Sequence, residues 1–251
     1  MVQLEHILHF LEETFQPQTF PDYPDALNGL QVGGPDEIRK VAAAVDASEQ
    51  TIAAASQAGV DLLLVHHGLF WGGLGTITGP RFRKVAGLIR ANTALYSLHL
   101  PLDAHAELGN NALLAKKMGL RPEGRFGTFK EVEVGWWCRA GTDRDALAEG
   151  LESAVGGTVR LIPGGPQEVS RIGILSGGGS SAIHEAAALS LDTLITGEAP
   201  HHAYHDAMEL GVNLLLGGHY ATETFGVLAL ARHLSERFSL DWEFIDFPTG
   251  L

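Results

Sequence analysis

His66 and His67 are adjacent, follow the apolar run Val60-Asp-Leu-Leu-Leu-Val65 and precede Gly68. Neighbours on a strand point to opposite faces, so both imidazoles can serve one site only where the chain bends, and Gly68 permits that bend. Diverging imidazoles suit a pair of ions better than a single one. Asp103 follows a second apolar stretch at 95–98, and His219 with Glu223 follows a third at 214–216. Three strand ends therefore offer His, His, Asp, His and Glu. Imidazoles and carboxylates without a thiolate are the donor set of hydrolytic Zn, Fe, Mn, Co or Ni sites, whereas cluster or soft-metal chemistry calls for cysteine. His219 and Glu223 stand at i and i+4 and share a face if a helix starts at Tyr220. Each of these residues also has a plainer reading: histidines capping a strand, and an acid favouring a helix N-terminus.

Two carboxylates and three neutral imidazoles carry two negative charges, and two divalent ions would carry four positive ones. Such a pocket is locally positive and admits anionic substrates. Water on such an ion ionises near neutral pH and supplies a nucleophile, while the second ion polarises the group attacked. His99, four residues before Asp103, reads as a proton shuttle or a hydrogen-bonding support for a ligand, or else as a core histidine bonded to backbone.

The elements that must position these residues repeat. A strand over 41–46, an Ala-rich helix over 48–58 capped by Ser48 or Asp46, and a strand over 59–65 form one unit. A strand over 171–176, a Gly177-Gly-Gly179 turn, a helix over 181–189 and a strand over 191–196 form the other. Short unbroken apolar strands alternating with helices indicate an α/β fold with parallel sheet covered on both faces. Gly59-Val-Asp-Leu-Leu-Leu-Val-His-His67 matches Gly211-Val-Asn-Leu-Leu-Leu-Gly-Gly-His219 at six of nine positions. The spacing His99 to Asp103 is repeated by His219 to Glu223. Duplication is the simplest account. Between the halves, Gly- and Pro-rich sequence from 119 to 165 holds a strand at 132–138 and a helix at 145–155, so the expected domains are 1–127 and 128–251.

Composition bounds the function. The 251 residues include 30 Asp plus Glu, 17 Lys plus Arg and 12 His, for a net charge of −13 with histidine neutral. Such acidity disfavours a broad basic face for nucleic acid, without excluding a local positive site. Cys138 is the single cysteine, which rules out a disulfide framework and fits a reducing cytoplasm. The first helix is amphipathic through Leu4, Ile7, Leu8 and Leu11, unlike a signal peptide, and no apolar run approaches membrane-spanning length.

Other motifs carry less. His201, His202 and His205 include an i, i+4 pair but read as a solvated helix start after Pro200. The Gly177–Ser181 segment lacks the Walker and dinucleotide patterns, so a tight turn outweighs a phosphate cradle. Asn28-Gly29-Leu30 reads as a turn into a strand, and Trp136, Trp137 and Cys138 as packing residues.

Asn28-Gly-Leu-Gln-Val32, Val65-His-His-Gly68, His99-Leu-Pro-Leu-Asp-Ala-His105 with Glu107-Leu-Gly-Asn-Asn111, Ser176-Gly-Gly-Gly179, Ile195-Thr-Gly-Glu198 and Gly218-His-Tyr-Ala-Thr-Glu223 occur in that order. This set resembles the Nif-three-like family, whose bacterial members include GTP cyclohydrolase type 2 homologues of the YbgI group. The resemblance runs from about Leu4 to Phe247. It implies two similar three-layer α/β/α domains with a dinuclear metal centre between them. His66, His67, Asp103, His219 and Glu223 would be the ligands, Glu223 bridging, and the assembly a toroidal homohexamer. Tyr220 stands where some relatives have a second histidine, which leaves the ligand set intact.

The leading expectation is a cytoplasmic metal-dependent hydrolase with two divalent ions, acting on a nucleotide or another small anion. From a different class comes a hexameric ring scaffold or regulator that binds single-stranded nucleic acid or a protein, its metals structural. Its basic residues would be Arg81, Arg83, Lys84 and Arg90 with Lys116 and Lys117. A third reading is a metal carrier.

Overall fold

The computed structural model describes residues 1–251 except Gly72 and Leu74. The chain divides into two compact units, Met1–Leu102 with Gly226–Phe247, and Asp103–Phe225 with Pro248–Leu251. The α/β class and the two-domain organisation hold. The division differs from the single cut expected near residue 127. After the second unit the helix Thr224–Phe238 leads back to the strand Asp241–Phe244, which joins the first sheet in parallel to Lys40–Asp46. Pairing so distant in sequence leaves no local pattern to read. Asp103, expected in the first domain, falls in the second unit.

The first sheet has the order Asp241–Phe244, Lys40–Asp46, Leu62–His67, Ala94–Ser97, Gly29–Val32. Its first four strands are parallel and Gly29–Val32 is an antiparallel edge. Ala42, Ala44, Leu63, Val65 and Leu95 pack on one face with Ile52, Ala55 and Leu88 of the helices Glu49–Gln57 and Gly79–Ala91. Ser48 caps the former by accepting a hydrogen bond from the Thr51 amide at 3.0 Å. The alternate residues Val41, Ala43, Leu62, Leu64 and Tyr96 are also buried, as are Ile7 and Leu11 of the helix Leu4–Phe15. Burial, aided by Glu12 of that helix, raises the Tyr96 phenol. Leu62, Leu63 and Leu64 are fully buried, and at roughly 1.5–3 kcal/mol each they make the strand leading to His66 a firm platform.

The second sheet runs Pro122–Phe129, Val132–Asp143, Glu168–Ile174, Thr193–Thr196, Asn213–Leu216, Arg160–Pro163. Its three middle parallel strands are flanked by antiparallel ones. Leu194, Leu214 and Phe126 pack with Ile183, Ala186, Ala203 and Ala207 on one face. Ile172, Ile174, Ile195 and Leu215 pack with Leu114, Leu147 and Leu151 on the other, where the buried Cys138 belongs. Burial pushes that thiol up to about 12, so it is inert packing.

Through each sheet the chain runs strand, helix, strand, helix, strand and then a short helix. Asp61 accepts hydrogen bonds from the Arg39 and Lys40 amides at 2.8 and 3.0 Å. Asp192 accepts from the Ser170 and Arg171 amides at 2.8 and 3.0 Å. The four-residue spacings fall at matching places, after the third parallel strand of each unit. The nine-residue echo does not: Gly59–His67 belongs to the second of those strands and Gly211–His219 to the third. That match reflects what any buried strand ending in a turn requires. Among the described residues no helix is long and apolar enough to cross a membrane.

Candidate metal centre

In the first unit the strand Leu62–His67 ends in the two histidines, His66 fully buried and His67 partly exposed. His99 lies just beyond the neighbouring strand Ala94–Ser97. The ligand-capable ring nitrogens of His66, His67 and His99 all lie within 4.8 Å of one another, so His99 joins the adjacent pair. Each ring is fixed through Nδ1. His66 donates to the Leu98 carbonyl at 3.0 Å, His67 to Asp46 at 2.9 Å and His99 to Asp22 at 2.9 Å. A proton held on Nδ1 by an oxygen acceptor selects the tautomer whose lone pair is on Nε2, the form that binds a cation.

Asp22 is itself well held. Its carboxylate accepts from the Tyr23 amide at 2.6 Å, Asn28 Nδ2 at 2.8 Å and the Leu100 amide at 3.0 Å. Against the cost of its burial, the His99 ring foremost, then Asn28 and the Tyr23 amide, keep the carboxyl below its ordinary value. Asn28 also accepts from the His99 amide at 2.7 Å, so a turn without visible chemistry positions both halves of the Asp22–His99 pair.

In the second unit Asp103 is buried, and its Oδ1 accepts from Asn110 Nδ2 at 2.7 Å and Ser176 Oγ at 3.2 Å. Asn111 braces the same place, accepting from the Ser176 amide at 2.7 Å and donating to the Asp103 carbonyl at 3.2 Å. His219 opens the short helix His219–Thr222, and Glu223 follows it. His219 Nδ1 lies 2.9 Å from Glu198 Oε1, and Nε2 lies 3.2 Å from Glu223 Oε2. Glu223 foremost, with Glu198, pushes the His219 imidazole up to about 9 against the effect of burial. A cation arriving there displaces a proton from His219. Gly177, at φ 60°, makes room for this arrangement, because a Cβ there would overlap the Glu223 carboxylate.

The donor chemistry fits hard or borderline divalent ions: imidazoles with pinned Nδ1 atoms, a buried Asp103 carboxylate steered by an amide and a hydroxyl, and the buried Glu223 carboxylate beside His219. The supporting residues were not legible as such. Asp46 reads as a helix cap in sequence, yet Ser48 takes that role, and Asp46 is the register partner of His67 on the adjacent strand. Asp22 lies 77 residues from His99 and carries no local signal. Glu198, Asn110 and Asn111 stand in the ordered motifs, but nothing in their spacing assigns a role.

The weaker motifs resolve as turns and surface. The Gly177 and Gly179 amides donate to Thr222 and Thr196 hydroxyls at 3.0 Å each, which uses them within a tight turn. His201 and His202 are exposed beside the helix Ala203–Leu210, and His205 is exposed on it.

The family model described as Duf34/NIF3 (NGG1p interacting factor 3) matches residues 2–249. A Deinococcus radiodurans protein named GTP cyclohydrolase 1 type 2 homolog is 44% identical, covering 98% of this chain and 94% of its own. An Archaeoglobus fulgidus protein of the same name is 40% identical over the full length of both. Among solved structures, the protein ybgI, of unknown function, superposes with a TM-score of 0.93 at 34% identity over all of both chains. TTHA1606 from Thermus thermophilus superposes at 0.90 with 39% identity, again over all of both chains.

Proposed function

The chain belongs to the Duf34/NIF3 family, and from that premise we propose that it is a metal-dependent hydrolase acting on a nucleotide or another small anion. His66, His67, Asp103, His219 and Glu223 are its ligands for two divalent ions. The observation that carries this reading is the repeated pinning of Nδ1. His66, His67, His99 and His219 all rest that atom on an oxygen acceptor at 2.9 to 3.0 Å. His66, His67 and His99 held in one tautomer, with His219 turned the same way, favour a cation site over strand capping. The names borne by the relatives point the same way.

Divalent ions bound there would lower the pKa of coordinated water and polarise the group under attack. The protein's own part is orientation and proton handling. Asp22 holds the His99 tautomer, so that Nε2 is the atom that takes up and returns a proton. Asn110 and Ser176 fix which way the Asp103 carboxylate turns. Ring opening of a purine with loss of formate is the narrower form of this proposal.

The test is elemental analysis of the purified protein coupled to a nucleotide panel, before and after chelation. Two equivalents of metal and chelator-sensitive hydrolysis are expected. His66→Ala combined with Glu223→Ala should lose both, and unchanged metal content and turnover in that variant would overturn the reading. The toroidal homohexamer belongs to the same proposal, with light scattering expected to return six times the 26.8 kDa chain. The scaffold reading is less well supported. Arg83, central to the basic cluster, is held by Glu49 through two 2.8 Å hydrogen bonds.

A further inference from the structure

Two large aromatic side chains stand beside the histidine group of the first unit instead of in the core. Tyr23 is 49% exposed and Trp71 is 36% exposed. The Trp71 ring meets the His99 ring at 4.8 Å and 84°, and the His67 ring at 5.9 Å and 76°. Tyr23 lies 6.0 Å from His99, and 6.0 Å from Trp71 at 55°. The four rings form one cluster in which the imidazoles are buried or partly so and the two larger rings remain accessible.

Their placement is built. Gln31 donates through Nε2 to the Ala26 and Leu27 carbonyls at 3.1 and 3.0 Å, in the turn that follows Tyr23. Its Oε1 accepts from the Leu69 amide at 2.7 Å, in the loop that leads to Trp71. One amide thus ties together the segments that carry the two rings. The approach depends on Gly68, where a Cβ would collide with the Gln31 amide. Shielding the imidazoles needs only an aliphatic side chain, whereas Tyr23 and Trp71 are large rings that keep about half and a third of their surface exposed. Flat π surfaces held at the rim of a polar site are suited to a planar ring.

We propose that Trp71 and Tyr23 form a stacking subsite for a planar nitrogen heterocycle, so that the substrate of the site is an anion carrying a nucleobase-like ring. The inference rests on, and deepens, the metal-dependent hydrolase reading. At 6.0 Å and 55° the rings leave no parallel slot between them. The ligand ring therefore lies on their outward faces with its edge toward His99 and His67. Stacking of this kind tolerates different bases, and the polar groups of the site complete the selection.

Saturation-transfer NMR on the full-length protein tests it, with inosine as a base lacking phosphate and ribose 5-phosphate as a phosphate lacking a base. Inosine ring protons should receive saturation in both metal-loaded and chelated protein, whereas ribose 5-phosphate should bind only the loaded form. Trp71→Ala and Tyr23→Ala should each weaken inosine binding on the order of tenfold with metal content unchanged, and Trp71→Phe should recover most of the loss. The Phe variant guards against a folding defect. Inosine affinity in Trp71→Ala equal to that of the wild type overturns the proposal, as does absence of inosine binding at millimolar concentration. It is also overturned if Trp71→Ala alters the mass in light scattering with inosine affinity intact, because the rings would then cover a contact between copies. Protein that binds no metal yet still stacks inosine would sink the hydrolase reading and leave the subsite standing.

Discussion

The two units solve the same folding problem and prepare different chemistry at the ends of their strands. In the first, the strand Leu62–His67 ends in His66 and His67, and carboxylates serve as supports: Asp46 holds His67, and Asp22 holds His99. In the second, the corresponding strand ends in Thr196, whose hydroxyl donates to the Gly177 carbonyl at 3.1 Å and accepts from the Gly179 amide at 3.0 Å. A turn brace thus stands where the first unit has candidate ligands, and in the second unit the candidates are Asp103, His219 and Glu223. The scaffold, down to the Asp61 and Asp192 hydrogen bonds, is common to both. What differs is which polar residues cap the strands, which is where an α/β sheet can vary without cost to its core.

The comparison breaks most visibly at a glycine in each unit. In the second, a Cβ at Gly177 would strike the Glu223 carboxylate itself, and φ 60° disfavours any other residue. In the first, a Cβ at Gly68 would strike Gln31, which braces a loop and is no ligand. With Glu223 as a ligand, as proposed, Gly177→Ala should weaken metal binding by more than about a hundredfold, since a displaced ligand costs more than a lost support. Gly68→Ala should keep the metal and disturb Trp71, read as a change in tryptophan fluorescence. Equal metal retention in both variants would show that Glu223 does not need its position.

The supports come next in size. Asp46→Asn in the first unit and Glu198→Gln in the second should each weaken metal binding by roughly 10- to 100-fold, measured by competition with a chromogenic chelator. The second variant has an additional signature. In metal-stripped protein His219 is held up to about 9 from an ordinary 6.5, by Glu223 foremost and then Glu198. A folded-state pKa above the unfolded one gives stability that is complete below about pH 6.5 and lost as pH rises through about 9. Urea unfolding of the chelated wild type should show that decline. Glu198→Gln should move its upper end to lower pH, and Asp46→Asn should leave it in place. A flat profile across that window would mean that the paired carboxylates do not stabilise the His219 imidazolium.

How much of this could be read from the sequence divides along physical lines. Apolar runs ending in His66-His67, and the spacings His99 to Asp103 and His219 to Glu223, are local patterns, and they identify strands, short helices and candidate ligands. Asp22 and Asn28 reach His99 through a loop with no periodicity, and their role exists only after the chain has folded. Asp46 is ambiguous, because an acid after a strand and before a helix serves equally as a cap or as a cross-strand partner. The strand Asp241–Phe244 pairs with residues about 200 positions earlier, which no window reveals. The nine-residue echo misleads about equivalence, because burial alone selects Leu-Leu-Leu on any central strand.

The smallest effect tests whether the repeat is energetic as well as geometric. Asp61 and Asp192 each accept two backbone amides from the strand before them, at 2.8 and 3.0 Å in both cases. Each also passes its backbone along the sheet: the Ala94 amide donates to the Asp61 carbonyl and the Asn213 amide to the Asp192 carbonyl, both at 2.8 Å. Truncating either side chain leaves two amides at a sheet end to find water. Because both aspartates are partly exposed, the expected cost of Asp61→Ala and Asp192→Ala is about 1–2 kcal/mol apiece by urea unfolding. Because the two sit in different compact units and share no partner, the losses should add in the double variant. A loss confined to one of them would show that the two units share this geometry but that only one depends on it for stability.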